Sequence, residues 1–218
     1  MPSTSHLATF MVASFLFIQV PGPSLLFTIG RALTVGRREA LLSVLGNSIG
    51  LVAQVAGVAL GLGALVAASA SAYTTLKLIG AAYVVYLGVQ AIRHRADARI
   101  AMEAAGAEVL TGPRPSSMKS VWTGFMVGAT NPKSIVFFVA FLPQFISDSA
   151  PAAPQLLFLG LVFGAMAVCS DTCWALAASR ARDWFARKPK RLDHLGVAGG
   201  VMMVGLGAGL ATTGNASH

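Results

Sequence analysis

Few residues of this chain have side chains able to do chemistry, and the notable ones stand in apolar surroundings. Asp171 falls inside the apolar run 154–179 and Lys133 inside the run 119–146. An ionised carboxylate deep in a bilayer costs on the order of 2.5–3.5 kcal/mol on insertion scales, so Asp171 needs a cationic partner, a wet cavity or a proton. Lys133 is the cation placed to pair with it, or with a carboxylate carried by a ligand; an ion pair serving structure alone is the competing reading. Asn47 and Gln54, in the run 40–66, are amides that either hydrogen-bond a ligand or join helices. The other reactive residue types point to no chemistry. His6, His94, His194 and His218 fall at ends or connections, so the sequence offers no histidine relay and no metal site of the kind a membrane protease needs. Cys169 and Cys173 lie four apart in an apolar run and are expected to pack as small residues on one helix face, not to form a disulfide or a zinc site. Lys77, near the end of its run, is expected to snorkel to the interface. The sequence has no phosphate-binding glycine loop, which excludes self-contained ATP-driven pumping, and no cofactor is expected.

The elements that position these residues are membrane helices. Of 218 residues, 55% are hydrophobic and 11% charged, against roughly 25% charged in soluble domains. Apolar runs near 7–34, 40–66, 72–92, 119–146, 154–179 and 195–213 predict an all-α membrane protein of six transmembrane helices, a single domain over 1–218. The segment Leu7 to Val20 has no basic residue before it and no small-residue cleavage site after it, so it reads as a retained helix. A net charge of +8 would suggest nucleic acid in a soluble protein, but here the basic residues cluster between helices. Arg31, Arg37 and Arg38 follow the first run. Arg93, Arg95, Arg99 and Arg114 follow the third, and Arg180, Arg182, Arg187, Lys188, Lys190 and Arg191 follow the fifth. The positive-inside rule puts these connections in the cytoplasm and both termini outside. The linker 94–117 is the longest soluble piece, and its Ala98 to Leu110 stretch reads as a plain linker or a short interfacial helix. Glycines spaced by four, Gly46 and Gly50, Gly57 and Gly61, Gly205 and Gly209, permit close helix packing within the chain, or a homodimer seam.

The first and fourth runs each extend about 28 residues, longer than the roughly 20 a span needs, and proline interrupts both. In the first, Pro21-Gly22-Pro23 removes two backbone donors, and a second half-helix restarts at Ser24. In the fourth, Asn131-Pro132-Lys133 reads as an N-cap followed by proline at the first helical position. Because three runs precede the fourth, it crosses the membrane in the opposite sense to the first. Matching breaks in pseudo-repeats 1–93 and 118–213 therefore fit an inverted three-plus-three repeat, the architecture of secondary transporters. Unwound backbone at membrane depth must be buried or line a cavity, and half-helix N-termini carry partial positive charge. The expected ligand is small and bears an anionic group. It would be held by Pro21, Gly22, Pro23, Ser24, Asn47, Gln54, Asn131, Pro132 and Lys133, with Asp171 as the proton-coupling group.

The sequence also resembles the LysE/RhtB amino-acid exporters over nearly its whole length. The resemblance rests on Pro21-Gly22-Pro23 with Gly36-Arg37-Arg38, on Gly46 and Gly50, and on Leu76 through Gly88. Thr130-Asn131-Pro132-Lys133-Ser134 with Phe141-Leu142-Pro143-Gln144-Phe145 is the most specific block. It implies a proton-driven exporter in the bacterial inner membrane, nearer the homoserine, threonine and leucine exporters than the lysine or arginine ones. With Asp171 the only buried acid, neutral or apolar amino acids are the expected substrates. A passive channel and a structural membrane subunit are the alternatives from other classes.

Overall fold

The computed structural model describes residues 4–68, 70–96, 99–100, 116–147, 150–181, 184, 187–188 and 190–212, and every regular element among them is helical. The helices are α1 Thr4–Gln19, α2 Pro23–Thr34, α3 Arg37–Ala68, α4 Ala70–Arg93, α5 Ser117–Thr130, α6 Pro132–Ala140, α7 Ala152–Arg180 and α8 Arg191–Thr212, with a 3₁₀ turn at Leu142–Phe145. Among the described residues, α3 and α7 are long and apolar enough to cross a bilayer alone. The pairs α1–α2 and α5–α6 join them if each bent pair is one span, and the apolar stretch Leu78–Arg93 of α4 is shorter. The sequence expectation for Ala98 to Leu110 lies outside the described residues, apart from Arg99 and Ile100. The Arg99 guanidinium pairs with Asp193 at 3.2 Å, which ties the connection to the first turn of α8.

Both expected breaks are present. The axis turns by 52° between α1 and α2 and by 41° across the α5–α6 break. Gly22 is extended (φ −119°, ψ −175°) and leads into Pro23 at the start of α2. Asn131 caps α6, its side-chain oxygen accepting the Lys133 backbone N–H at 3.1 Å, with Pro132 at the first helical position. These are the positions where a helix tolerates proline, because the missing donor has no intrahelical acceptor there. The α2–α3 turn runs through Gly36 at φ +98°, a left-handed conformation that disfavours a side chain.

Close helix packing uses some of the expected glycines and others besides. A Cβ added at Gly46 or Gly50 would strike the carbonyl oxygen of Val121 or Phe125 on α5, and one at Gly124 or Gly128 would strike that of Ser43 or Asn47 on α3. On α4 and α8, Gly88 and Gly200 lie against each other's backbone. A Cβ added at Gly57, Gly61 or Gly205 would meet nothing within 4 Å among the described residues, so at these positions the spacing marks no close approach of described helices. Spacing marks a smooth helix face but not which face meets a neighbour. Gly128→Val is therefore expected to lower stability by about 1–3 kcal/mol, the usual cost of overpacking, while Gly57→Ala leaves it unchanged. Thermal unfolding in detergent checks both, and an equal loss in Gly57→Ala would reject close approach as the cause.

Two apolar clusters divide the interior. One is aromatic, with Phe17 stacked on Phe137 at a centroid distance of 4.2 Å and Phe163 at 4.9 Å from Phe137; Phe10, Phe138 and Phe145 complete it toward the α1 N-terminal end. The other is aliphatic, with Leu25, Ile29, Leu33, Val44, Ala175 and Ala178 toward the opposite end. The membrane-depth polar residues lie between them.

Candidate functional site

The two helix breaks meet through Lys133. Its ammonium donates to the carbonyl oxygens of Phe17 at 2.8 Å and Val20 at 2.5 Å, and sits 4.5 Å from the centre of the Phe17 ring. These carbonyls lie at and just past the C-terminal end of α1, the negative pole of a half-helix; Phe17 also accepts from the Val20 N–H at 3.2 Å, and a buried cation is well matched there. The aliphatic stem of Lys133 lies against Gly22, where an added Cβ would come within 2.7 Å of Cδ. The sequence had Asp171 or a ligand carboxylate as the partner of this lysine. No ion pair joins Lys133 to Asp171 among the described residues, and backbone oxygens hold the ammonium instead.

Asp171 ends a separate polar chain. Ser24, in the first turn of α2, donates its hydroxyl to the Asn47 carbonyl oxygen at 2.9 Å, and the Asn47 amide donates to an Asp171 carboxylate oxygen at 3.2 Å. One line of hydrogen bonds thus crosses α2, α3 and α7. Lys133 and Asp171 are each only 6% exposed, and both face one cavity of about 50 Å³. Gly22, Ser24, Asn47 and Asn131 also line it. At roughly 10–15 Å³ per water on such a measure, it has room for a few waters and none for an amino acid.

The remaining sequence candidates sit around this cavity in supporting positions. The Gln54 amide donates to the backbone oxygens of Ala129 at 2.9 Å and Asn131 at 3.2 Å, and accepts from the Ser134 hydroxyl at 2.7 Å. It thereby supplies a donor to the Ala129 carbonyl beside the second break and a further one to that of Asn131, which also accepts from the Ile135 N–H, and Ser134 itself reaches the cavity. Pro21 and Pro23 face a neighbouring cleft, and Pro132 is half-buried at the start of α6.

Two polar clusters escaped the sequence reading. Arg31 donates to the hydroxyls of Ser120 at 2.7 Å and Ser43 at 3.2 Å, and Ser120 donates to a Glu39 carboxylate oxygen at 2.6 Å, binding α2, α3 and α5 beyond the aliphatic cluster. Arg31 had been counted only as a topogenic charge. Gln19, at the end of α1, accepts from the Trp174 indole at 3.1 Å and the Ser170 hydroxyl at 3.4 Å. Cys169 and Cys173, expected to pack against neighbours, are instead exposed on an open groove between α1 and α7. Among the described residues no group of histidine, cysteine or acidic side chains is arranged to hold a metal.

The model of the LysE type translocator family matches residues 15–214 of this sequence. The chain belongs to that family. It is similar to a membrane protein of Vibrio cholerae, at 35% identity over 93% of this chain and 95% of the relative. It is also similar to the homoserine/homoserine lactone efflux protein of Salmonella typhimurium, at 33% identity over 93% of this chain and 94% of the relative. A leucine efflux protein of Klebsiella pneumoniae shares 27% identity over 94% of this chain and 93% of its own length. No solved structure matches. As a LysE type translocator the protein is a membrane transporter, not an enzyme. In this translocator an ammonium, a carboxylate and the N-terminal end of α2 converge on one small buried space.

Proposed function

We propose that this translocator is a secondary active exporter of small neutral or apolar amino acids, working by proton antiport across the bacterial inner membrane. The observation that carries this reading is the buried Lys133 and Asp171 sharing a small cavity where two helix breaks meet. A zwitterionic amino acid offers a carboxylate to the Lys133 ammonium and the α2 N-terminus. Pro21, Gly22, Pro23, Ser24, Asn47, Gln54, Asn131, Pro132 and Lys133 form or shape the substrate site, and Asp171 exchanges the proton. Efflux of homoserine and of leucine by the named relatives supports a neutral substrate. Apolar seals on both sides of the cavity favour a carrier over a passive channel, since a channel keeps a continuous wet path.

The architecture we infer is six spans in an inverted repeat, with α1–α2, α3 and α4 forming one half and α5–α6, α7 and α8 the other, joined by linker 94–117. Helix neighbours support it. An inverting two-fold axis maps the packed pairs α3–α7 and α4–α8 onto themselves, and exchanges α3–α5 with the contact of α7 on α1–α2; all four contacts are present. In this orientation the aromatic cluster is the outer seal and the aliphatic cluster the inner one, with the Arg31–Ser120–Glu39 cluster on the cytoplasmic side. A cysteine placed at Ser3, which lies outside the described residues, should react with an impermeant thiol reagent in intact spheroplasts. Reaction only after permeabilisation would overturn the topology and the repeat with it.

The function is tested by counterflow of labelled amino acids in proteoliposomes. Labelled leucine or homoserine should accumulate against unlabelled internal substrate, and an imposed inward proton gradient on the side corresponding to the outside should drive accumulation on that side. Absence of counterflow for every amino acid tried, with folded protein, would overturn the reading.

A further inference from the structure

The central cavity is too small for any amino acid, but a cleft of about 500 Å³ lies beside it between α2, α4 and α8, within the usual range of about 300–1,000 Å³ for small-molecule sites. Its floor is Pro21-Gly22-Pro23, its walls include Leu26, Leu87 and Met203, and His94 and Arg95, both exposed, stand at its rim with Gly196. The seven residue steps from Gly196 to Met203 on α8 span about 10 Å of helix rise, so the cleft runs from a basic helix end down to the first break. Gly22 belongs to the wall of both spaces, and the Lys133 stem fills the place a Cβ at Gly22 would take. The larger groove between α1 and α7 shares no lining residue with the cavity and has no charged side chain.

We infer that this cleft is the cytoplasmic loading vestibule of the translocator: Arg95 at the mouth attracts the carboxylate of an amino acid, apolar walls accept its side chain, and Gly22 is the partition it passes to reach Lys133. The inference rests on the function and topology proposed above. An amino acid has a carboxylate to meet the rim and an uncharged side chain to lie along Leu26, Leu87 and Met203, and the absence of a side chain at Gly22, where a Cβ would stand 3.6 Å from Lys133 Nζ, lets the carboxylate approach the ammonium. Movement of that stem joins the two spaces without unpacking a helix.

The test uses the full chain with Cys169→Ala and Cys173→Ala, so that Ala91→Cys on the cleft wall provides the sole thiol, in vesicles of either orientation. Each preparation is read against its own untreated rate of labelled leucine or homoserine counterflow. A negatively charged, impermeant methanethiosulfonate is expected to stop transport when the cytoplasmic face is exposed and to have no effect from the other face, and millimolar substrate should slow the modification. In the protein with its native cysteines, Arg95→Gln should raise KM about threefold to fivefold with the maximal rate retained, the size of one solvent-screened charge contact. If the KM effect appears only in liposomes containing anionic phosphatidylglycerol and not in phosphatidylcholine alone, the rim reads lipid headgroups and the vestibule is overturned. Transport undiminished by complete modification of Ala91→Cys overturns it as well. Lack of counterflow in the unmodified protein is a different result, the failure of the transport reading itself.

Discussion

Vesicles carrying Asp171→Asn are expected to exchange labelled for unlabelled amino acid while losing accumulation driven by a pH gradient. The substitution keeps size and an oxygen able to accept from the Asn47 amide, now at 3.2 Å from the carboxylate, so the Ser24–Asn47 chain that fixes α2 to α3 survives. What it removes is the only acid among the described residues that lines the cavity, and with it the group able to carry a proton across the central barrier. The driving force at stake is large. One elementary charge moving down 100 mV yields about 2.3 kcal/mol, and about 1.4 kcal/mol already sustains a tenfold gradient of neutral solute. Accumulation should therefore fall from at least about tenfold to that of vesicles without a gradient. Exchange moves no net proton and is spared. Gradient-driven accumulation equal to the unsubstituted protein would return Asp171 to a purely structural part.

How much of this arrangement could be read from the chain follows from the chemistry of each residue. The breaks were legible because Pro21, Pro23 and Pro132 cannot continue a hydrogen-bonded helix wherever the fold puts them, and Asn131 before proline is a cap by its local geometry alone. Asp171 and Lys133 were legible because charge is rare at membrane depth. Their partners were not: Lys133 meets the carbonyls of Phe17 and Val20, and backbone acceptors left open at a broken helix end leave no mark in residue identity. Gln54 was equally opaque, since an amide that staples the second break reads like one that binds ligand. The helix-joining part of Arg31 was hidden because a charge near a helix end reads as topology, and only the serines brought in from α3 and α5 show that it also binds the helices together. The Pro21-Gly22-Pro23 motif divides in a way no pattern announces, with Gly22 on both cavity and cleft and the two prolines on the cleft alone.

Lys133→Met tests the connection between the breaks. Methionine retains much of the stem but not the ammonium, so the Val20 carbonyl loses the Lys133 donor and that of Phe17 keeps only the Val20 N–H, in a place that water reaches poorly, at about 1–3 kcal/mol for a group left unsatisfied. The α1–α2 and α5–α6 halves lose the bond that joins them, and Asp171 loses the one cation on its cavity. The midpoint of thermal unfolding in detergent should drop on the order of 5 °C, and exchange should fall by at least about tenfold, because the substrate carboxylate has lost its counter-charge. The two consequences separate in a double-mutant cycle. If Lys133 and Asp171 sense each other across the cavity, Lys133→Met leaves an uncompensated carboxylate, and adding Asp171→Asn relieves it. The double variant should then recover part of the lost stability, about 0.5–3 kcal/mol of coupling, while the lost Lys133 donor keeps it below the native protein and exchange stays low. Strict additivity of the two substitutions would mean that the charges share a cavity without sharing a field, and that proton exchange at Asp171 does not reach the substrate through Lys133.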